Sequence, residues 1–462
     1  MSTEILDEVL VDPARARIYA EGWQSWSPAT WYAADGTGLR PDEDWQHTMR
    51  FRPGTHVAHD AIQAEGLLVV DPGDGGAVRC YGATDPVVVP TLTARLVDDR
   101  VLVRSTGPIE ATRAPDAETA LAQYADGFTQ RAYPTVPGHP SAAPPTVWCS
   151  WYRYFEEVTA ADVLENLRSF DEHDLAVDVV QIDDGWSPGL GEWLTVADRF
   201  GSLTAVVEEV RGAGRRAGIW VAPFLVGARS SLATEHPDWL VGPAGRNWGD
   251  ALVGLDLTHG GVRDLLAEKF ARLVDLGIDY LKLDFLYAGA MPVHEGGRRA
   301  EDMTGEEAYR SGLSLIREVV GPDVYLVGCG APLLPSVGLV DAMRVSPDTF
   351  HEGGEDGSHG LRGLMPLAAR AWQQGRFWTN DPDCLVARPT YAQRETWAEA
   401  VTDLGGLASF SDRVADLDDR GLRQVHDLLA SGSTAEPFGA DAVRHGARVA
   451  ADELAARQAV HP

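Results

Sequence analysis

From residue 146 onward, short apolar runs alternate with amphipathic segments of helical period. The apolar runs predict strands near 146–151, 177–182, 217–222, 279–285, 323–328, 342–346, 376–379 and 406–410. Helices are expected between them, around 160–172, 203–214, 261–276, 304–319, 363–374, 391–403 and 418–430. Apolar Leu281, Leu283 and Phe285 alternate with Lys282 and Asp284, which is the period of a strand. Strands that alternate with helices pair in parallel through right-handed crossovers. Eight such units over 146–431 predict an α/β fold, a (β/α)8 TIM barrel. The rival, an open doubly wound sheet, lacks its glycine-rich fingerprint after the first strand.

The chain before the barrel has another rhythm. Stretches such as Leu67–Val70, Ala77–Tyr81 and Val87–Val89 are separated by turns like Asp71–Gly76. Residues 1–135 are therefore expected to form an antiparallel, sandwich-like β domain. Residues 136–145, rich in proline and small residues, form a linker in this reading. Residues 432–462 turn rich in alanine, glycine and arginine and are expected to be a short tail, helical or loosely ordered. Trp23 and Trp26 lie in the polar, proline-stopped stretch Gly22–Pro28. Two readings stay open there: tryptophans packed between domains, or a platform on which a sugar ring stacks.

Composition narrows the function classes. The chain has 462 residues, 44% hydrophobic and 23% charged, as a large globular protein does. No apolar run approaches the ~18–20 residues of a membrane span. The first residues are acidic with no long apolar core, so no signal peptide is read and the cytoplasm is the expected location. A net charge of −30 argues against nucleic acid or an anionic membrane as partner. Cys80, Cys149, Cys329 and Cys384 show no metal or disulfide spacing; three lie at or near strand ends, where a buried thiol is the usual reading, and Cys329 stays open.

A barrel's chemistry sits at the carboxyl ends of its strands. There the sequence places Trp151 and Tyr152, Asp183 and Asp184, Trp220, Lys282 and Asp284, Cys329 and Gly330, Arg344 and Asp348, then Asp381 and Asp383. Aspartates and tryptophans with almost no histidine suit a sugar: carboxylates accept hydroxyls, and aromatics stack on the ring. Lys269 and Lys282 are the only lysines, and Lys282 shares a strand face with Asp284. The pair is either structural or a device that keeps Asp284 anionic as a nucleophile. Asp348, from strand six, is the candidate partner carboxyl and needs a raised pKa to act as acid. Arg344 is therefore expected to reach substrate hydroxyls or another carboxylate. A divalent metal at Asp183–Asp184 is an alternative use of those carboxylates, but no histidine or calcium-loop spacing accompanies them, and neither metal nor cofactor is expected.

Seven motifs then carry a resemblance: GWQSWSP (22–28), WCSWYRYF (148–155), QIDDGW (181–186), GIWVAPF (218–224), YLKLDF (280–285), GCGAPLLPSVGLVDAMRVSPDT (328–349) and FWTNDPDC (377–384). In this order they resemble the family 36 glycoside hydrolases of the melibiase clan. The resemblance implies Asp284 as nucleophile and Asp348 as acid/base of a retaining enzyme without cofactor. It implies that Asp183 and Asp184 bind the far hydroxyls of the glycone and that Lys282 and Arg344 hold ring hydroxyls. Cys329 and Gly330 would line the space near O2, with Trp220, Trp151 and Tyr152 on the wall and Trp26 or Trp23 above. Relative to that family the N-terminal β domain is short and the C-terminal β domain is short or missing. The implied activity is release of terminal α-galactose from melibiose- or raffinose-type oligosaccharides, by a chain compatible with a homo-oligomer. Alternatives are an α-glucoside or α-N-acetylgalactosaminide, sugar transfer, and, in another class, a non-catalytic carbohydrate-binding protein. Residues 351–360, after Asp348, are read either as a lid or as a solvated glycine-rich loop.

Overall fold

The computed structural model describes residues 4–132, 143–247, 249–293, 303–350 and 356–460. Residues 136–142 of the expected linker and 351–355 of the expected lid lie outside them.

Eight parallel strands form one sheet: Val147–Cys149, Val179–Ile182, Arg216–Val221, Ile278–Leu283, Tyr325–Gly328, Ala342–Arg344, Thr379–Asp381 and Ser409–Phe410. Each pairs with the next from the first to the seventh, and the eighth pairs back onto the first. The seventh and eighth meet through the Asn380 carbonyl, which accepts from the N–H groups of Gly406 and Leu407 at 2.9 Å each. Gly406 is required there, because a Cβ would sit 1.9 Å from Gln374 Oε1. The architecture is a (β/α)8 barrel with N-terminal antiparallel sheets. Its interior is filled from below by Val147, Val179, Tyr280, Tyr325, Val327, Ala342 and Leu407, with the two tyrosine rings stacked at 5.6 Å.

The outer helices follow their local signals. Thr159 with Asp162, and Thr304 with Glu307, form capping boxes that start Ala160–Glu172 and Gly305–Val320. The sixth helix is shorter than expected, Leu364–Ala369, and a 3-10 turn, Ala371–Gln373, follows it. The break falls at Arg370, whose side chain turns into the interior. Its carbonyl accepts from the Gln373 N–H at 2.9 Å, a 3-10 bond, and from the Asn380 amide at 3.0 Å.

The N-terminal strands build two antiparallel sheets of four and five strands. Residues 87–89 are not one of them; they form a turn with a single bridge between Asp85 and Val88. Pro86 and Pro90 flank the valines and cannot donate to a ladder. A second feature had no hydrophobic alternation to announce it. A small antiparallel sheet, Leu225–Gly227, Leu240–Asn247 and Asp250–Leu255, stands between the third barrel strand and its helix. At the carboxyl end, the helix Ala440–Val460 packs on Leu364–Ala369. Its Gly446 lies so close to Ala368 that a Cβ would be 2.3 Å from the carbonyl oxygen.

Candidate active site

The fourth barrel strand delivers Lys282 and Asp284 to a cavity of about 150 Å³. Asp284 is buried, and both of its oxygens are held. Trp220 Nε1 donates to Oδ2 at 2.9 Å, and the Phe285 N–H donates to Oδ1 at 2.7 Å. The second contact needs Phe285 in the left-handed region, φ 51 and ψ 31, a conformation that favours glycine. Backbone strain is accepted here where it orients a carboxylate.

Lys282 does not make its close pair with Asp284. Its Nζ lies 2.9 Å from Asp183 Oδ2. That same oxygen accepts from Gln181 Nε2 at 2.6 Å and from Cys149 Sγ at 3.3 Å. Asp183 is thus already neutralised by a fixed cation, which is poor preparation for binding a metal. Among the described residues no group of three or more histidine, cysteine or acidic side chains could hold a metal ion. Asp284 is pushed above the usual carboxylate range by burial, which outweighs the attraction of Lys282 and is reinforced by the charge of Asp348. Lys282 lowers its pKa as expected, but desolvation outweighs that pull.

Asp348 behaves in the opposite way. Its side chain is 51% exposed, so burial, though the largest single influence and an upward one, is screened. Arg344, 2.7 Å away, and then Lys282 bring it below the usual range. Arg344 was expected to reach hydroxyls or another carboxylate. It is 1% exposed and does not line the cavity; it bridges Asp348 and, at 2.8 Å, Asp383. Asp383 also accepts from the Tyr152 hydroxyl and from Thr349 N–H and Oγ1 at 2.7 and 2.6 Å. Tyr152 thus lies behind the wall, bracing the segment after the sixth strand that carries Asp348.

Trp26, Trp151, Asp183, Asp184, Trp220, Lys282, Asp284 and Asp348 all face the cavity, as expected. Cys329 and Gly330 do not line it. Cys329 is fully buried, and Gly330, at φ +54, gives way to the Trp26 ring, which a Cβ would approach to 3.1 Å. Trp26 meets Phe285 edge to face at 5.4 Å. Trp23 is buried elsewhere, under the Arg52 guanidinium. The two tryptophans of that stretch thus part ways: Trp26 faces the cavity and Trp23 packs away from it. Trp45, Met49, Arg50, Asn247, Phe285, Pro347, Phe350 and Arg362 complete the lining and were not anticipated. Only Trp45, a tryptophan among acidic residues, gave a signal of the kind that marked Trp26.

Asp184 titrates far from its ordinary range. Burial raises it most; the Gly185 N–H opposes, and the charges of Asp183, Glu156 and Asp284 add, to about 7. Its folded pKa lies above the unfolded one, so ionisation is disfavoured in the fold. Stability is lost as pH rises from about 4 to about 7, on the order of 4 kcal/mol in all. Asp184→Asn keeps the acceptor for Gly185. It is expected to unfold at a higher temperature than the parent at pH 8 and to show no such gain near pH 4. A variant less stable at pH 8 would contradict this account.

Carboxylates and tryptophans thus line one barrel mouth. Residues 141–320 match the Melibiase family model. The chain is 32% identical over 155 residues to an α-galactosidase of Escherichia coli, covering 31% of this chain and 22% of that protein. It is 27% identical over 198 residues to α-galactosidase Mel36A of Lactobacillus acidophilus, covering 39% of this chain and 26% of that one. The chain thus aligns with less than a third of the length of these curated relatives. Among solved structures, an α-galactosidase from Thermus thermophilus in complex with stachyose superposes with a TM-score of 0.75 at 28% identity. That match covers 91% of this chain and 92% of the other. The family 36 α-galactosidase of Geobacillus stearothermophilus, 15% identical with a TM-score of 0.62, shares the fold. No described helix is long and apolar enough to cross a membrane.

Proposed function

We propose that the chain is a retaining glycoside hydrolase that releases terminal α-linked galactose from small oligosaccharides of the melibiose and raffinose type. The observation that carries this reading is Asp284, held through both oxygens in a cavity that also contains the Arg344-bound Asp348. The α-galactosidase relatives and the stachyose-bound neighbour support the choice of sugar.

In the first step Asp284 Oδ attacks the anomeric carbon. The glycosidic C–O bond breaks, and the Asp348 proton passes to the departing oxygen. In the second step water attacks the same carbon, its proton returns to Asp348, and the ester to Asp284 is released. Two restorations of Asp348 and Asp284 leave the enzyme unchanged. The charge of Asp348 adds to the burial that raises Asp284, while Arg344 and Lys282 hold Asp348 below the usual range. Catalysis needs a proton on Asp348. A sugar that strips water from this half-exposed group raises its proton affinity and moves the proton there. Asp183 and Asp184, with Lys282, would receive the far glycone hydroxyls.

The test is initial rates on p-nitrophenyl α-galactoside, α-glucoside and α-N-acetylgalactosaminide, with the product anomer followed by NMR. Fast cleavage of the galactoside with α-galactose formed first is expected. Preference for another glycone would overturn the substrate, β-galactose first would overturn retention, and no turnover at all would favour a sugar-binding protein.

A further inference from the structure

On the roles proposed above, Asp348 gives the cavity a direction. A general acid touches the leaving oxygen, so side chains on its far side face the departing group. Trp45 and Arg50 line the same cavity and, like Asp348 and unlike the buried Asp284, are partly exposed, which places them toward its outer end. The Arg50 guanidinium lies 4.6 Å from the Trp45 ring centroid, and its charge is among those that lower the pKa of Asp348. Both residues belong to the N-terminal part of the chain, in and just after the short helix Asp44–Met49.

That turn is fastened from two sides. The Gln24 amide donates to the Met49 carbonyl and Ser27 Oγ to the Arg50 carbonyl, both from the stretch that carries Trp26. From the barrel side, Met49 rests against Gly245 of the small inserted sheet. A Cβ there would be 2.7 Å from Met49 Sδ, and φ is +108, so glycine serves the contact twice over. Two residues along the same strand, Asn247 reaches the cavity, and its side-chain Nδ2 has no hydrogen-bond partner among the described residues. A donor left unpaired beside a polar cavity is costly unless a ligand accepts from it.

We propose that Trp45, Arg50 and Asn247 form the leaving-group subsite and take the pyranose ring joined to galactose through the scissile oxygen. The indole offers a face to the ring's C–H groups, and the guanidinium and amide donate to its hydroxyls. This assignment deepens the proposed function and rests on it.

The experiment compares kcat/KM for melibiose, which has a sugar on the leaving side, with that for α-galactosyl fluoride, which has none. In Trp45→Ala the ratio of melibiose to fluoride is expected to fall about tenfold or more, as loss of a stacked ring predicts. Trp45→Phe, which keeps a ring, should recover most of it. Asn247→Ala should move the ratio the same way and carries the test should Trp45→Ala fail to fold. An unchanged ratio in both alanine variants, or a parent that cleaves the fluoride but not melibiose, overturns the subsite while leaving the reaction in place. A parent inactive on both donors removes the proposed function, and the subsite with it.

Discussion

Asp284→Ala is expected to lower kcat on p-nitrophenyl α-galactoside by about 10⁴-fold or more, because the covalent step loses its nucleophile. The fold should survive. The change removes a carboxylate whose burial is unfavourable, leaving only Trp220 Nε1 and the Phe285 N–H to find other partners. Added azide can occupy the vacated space and attack the anomeric carbon from the same face. The rescued product should then be β-galactosyl azide, opposite in configuration to the natural product. Retention of a tenth of the parent activity, or rescue giving the α-azide, would exclude Asp284 from this role. The parent's pH profile offers a second check. Asp284 must be ionised to attack and its pKa is raised, so the acid limb of kcat/KM should lie above the ordinary aspartate value.

Arg370→Met is expected to be the most destabilising single change outside the cavity, by roughly 3–5 kcal/mol, since it leaves a buried carboxylate without its counter-charge. Arg370 and Glu21 are both buried and paired at 2.9 Å. The guanidinium also donates to the carbonyls of Ser25, Ser27 and Val345, at 2.7, 3.0 and 2.8 Å. Glu21 in turn accepts from Tyr19, Gly22 and Gln373. This network ties the Trp26-bearing stretch to Val345, just past the sixth barrel strand and three residues before Asp348. The loss should appear in thermal unfolding as a drop of roughly 10 °C, with KM rising as Trp26 loosens. The double variant Glu21→Leu with Arg370→Met should recover part of the stability, because an apolar pair leaves no buried charge. A fall in Tm of under a degree in the single variant would mean that water satisfies Glu21.

The barrel was legible because its signals are local. Period-2 runs such as Tyr280–Phe285 and capped amphipathic helices such as Gly305–Val320 state their form within a dozen residues. Illegible elements were those whose stability comes from elsewhere. The inserted sheet from Leu225 to Leu255, rich in glycine and crossed by Pro243 and Arg246, carries no alternation of its own and is held by its neighbours. The valines at 87–89 show the reverse error, a strong apolar run made a turn by two prolines.

The site divides along the same line. Strand period and strand end alone brought Asp183, Asp184, Trp220, Lys282, Asp284 and Asp348 to the barrel mouth, but the same rule also offered Tyr152, Cys329, Gly330 and Arg344, which do not line the cavity. Only the tertiary structure decided their partners. Lys282 pairs with Asp183 and not with its strand neighbour Asp284, Arg344 is divided between Asp348 and Asp383, and Trp26 faces the cavity while Trp23 does not. The physical reason is range: backbone periodicity is set by adjacent residues. Charge pairing, desolvation and the arrival of Trp45 and Arg50 depend on atoms brought together from distant parts of the chain.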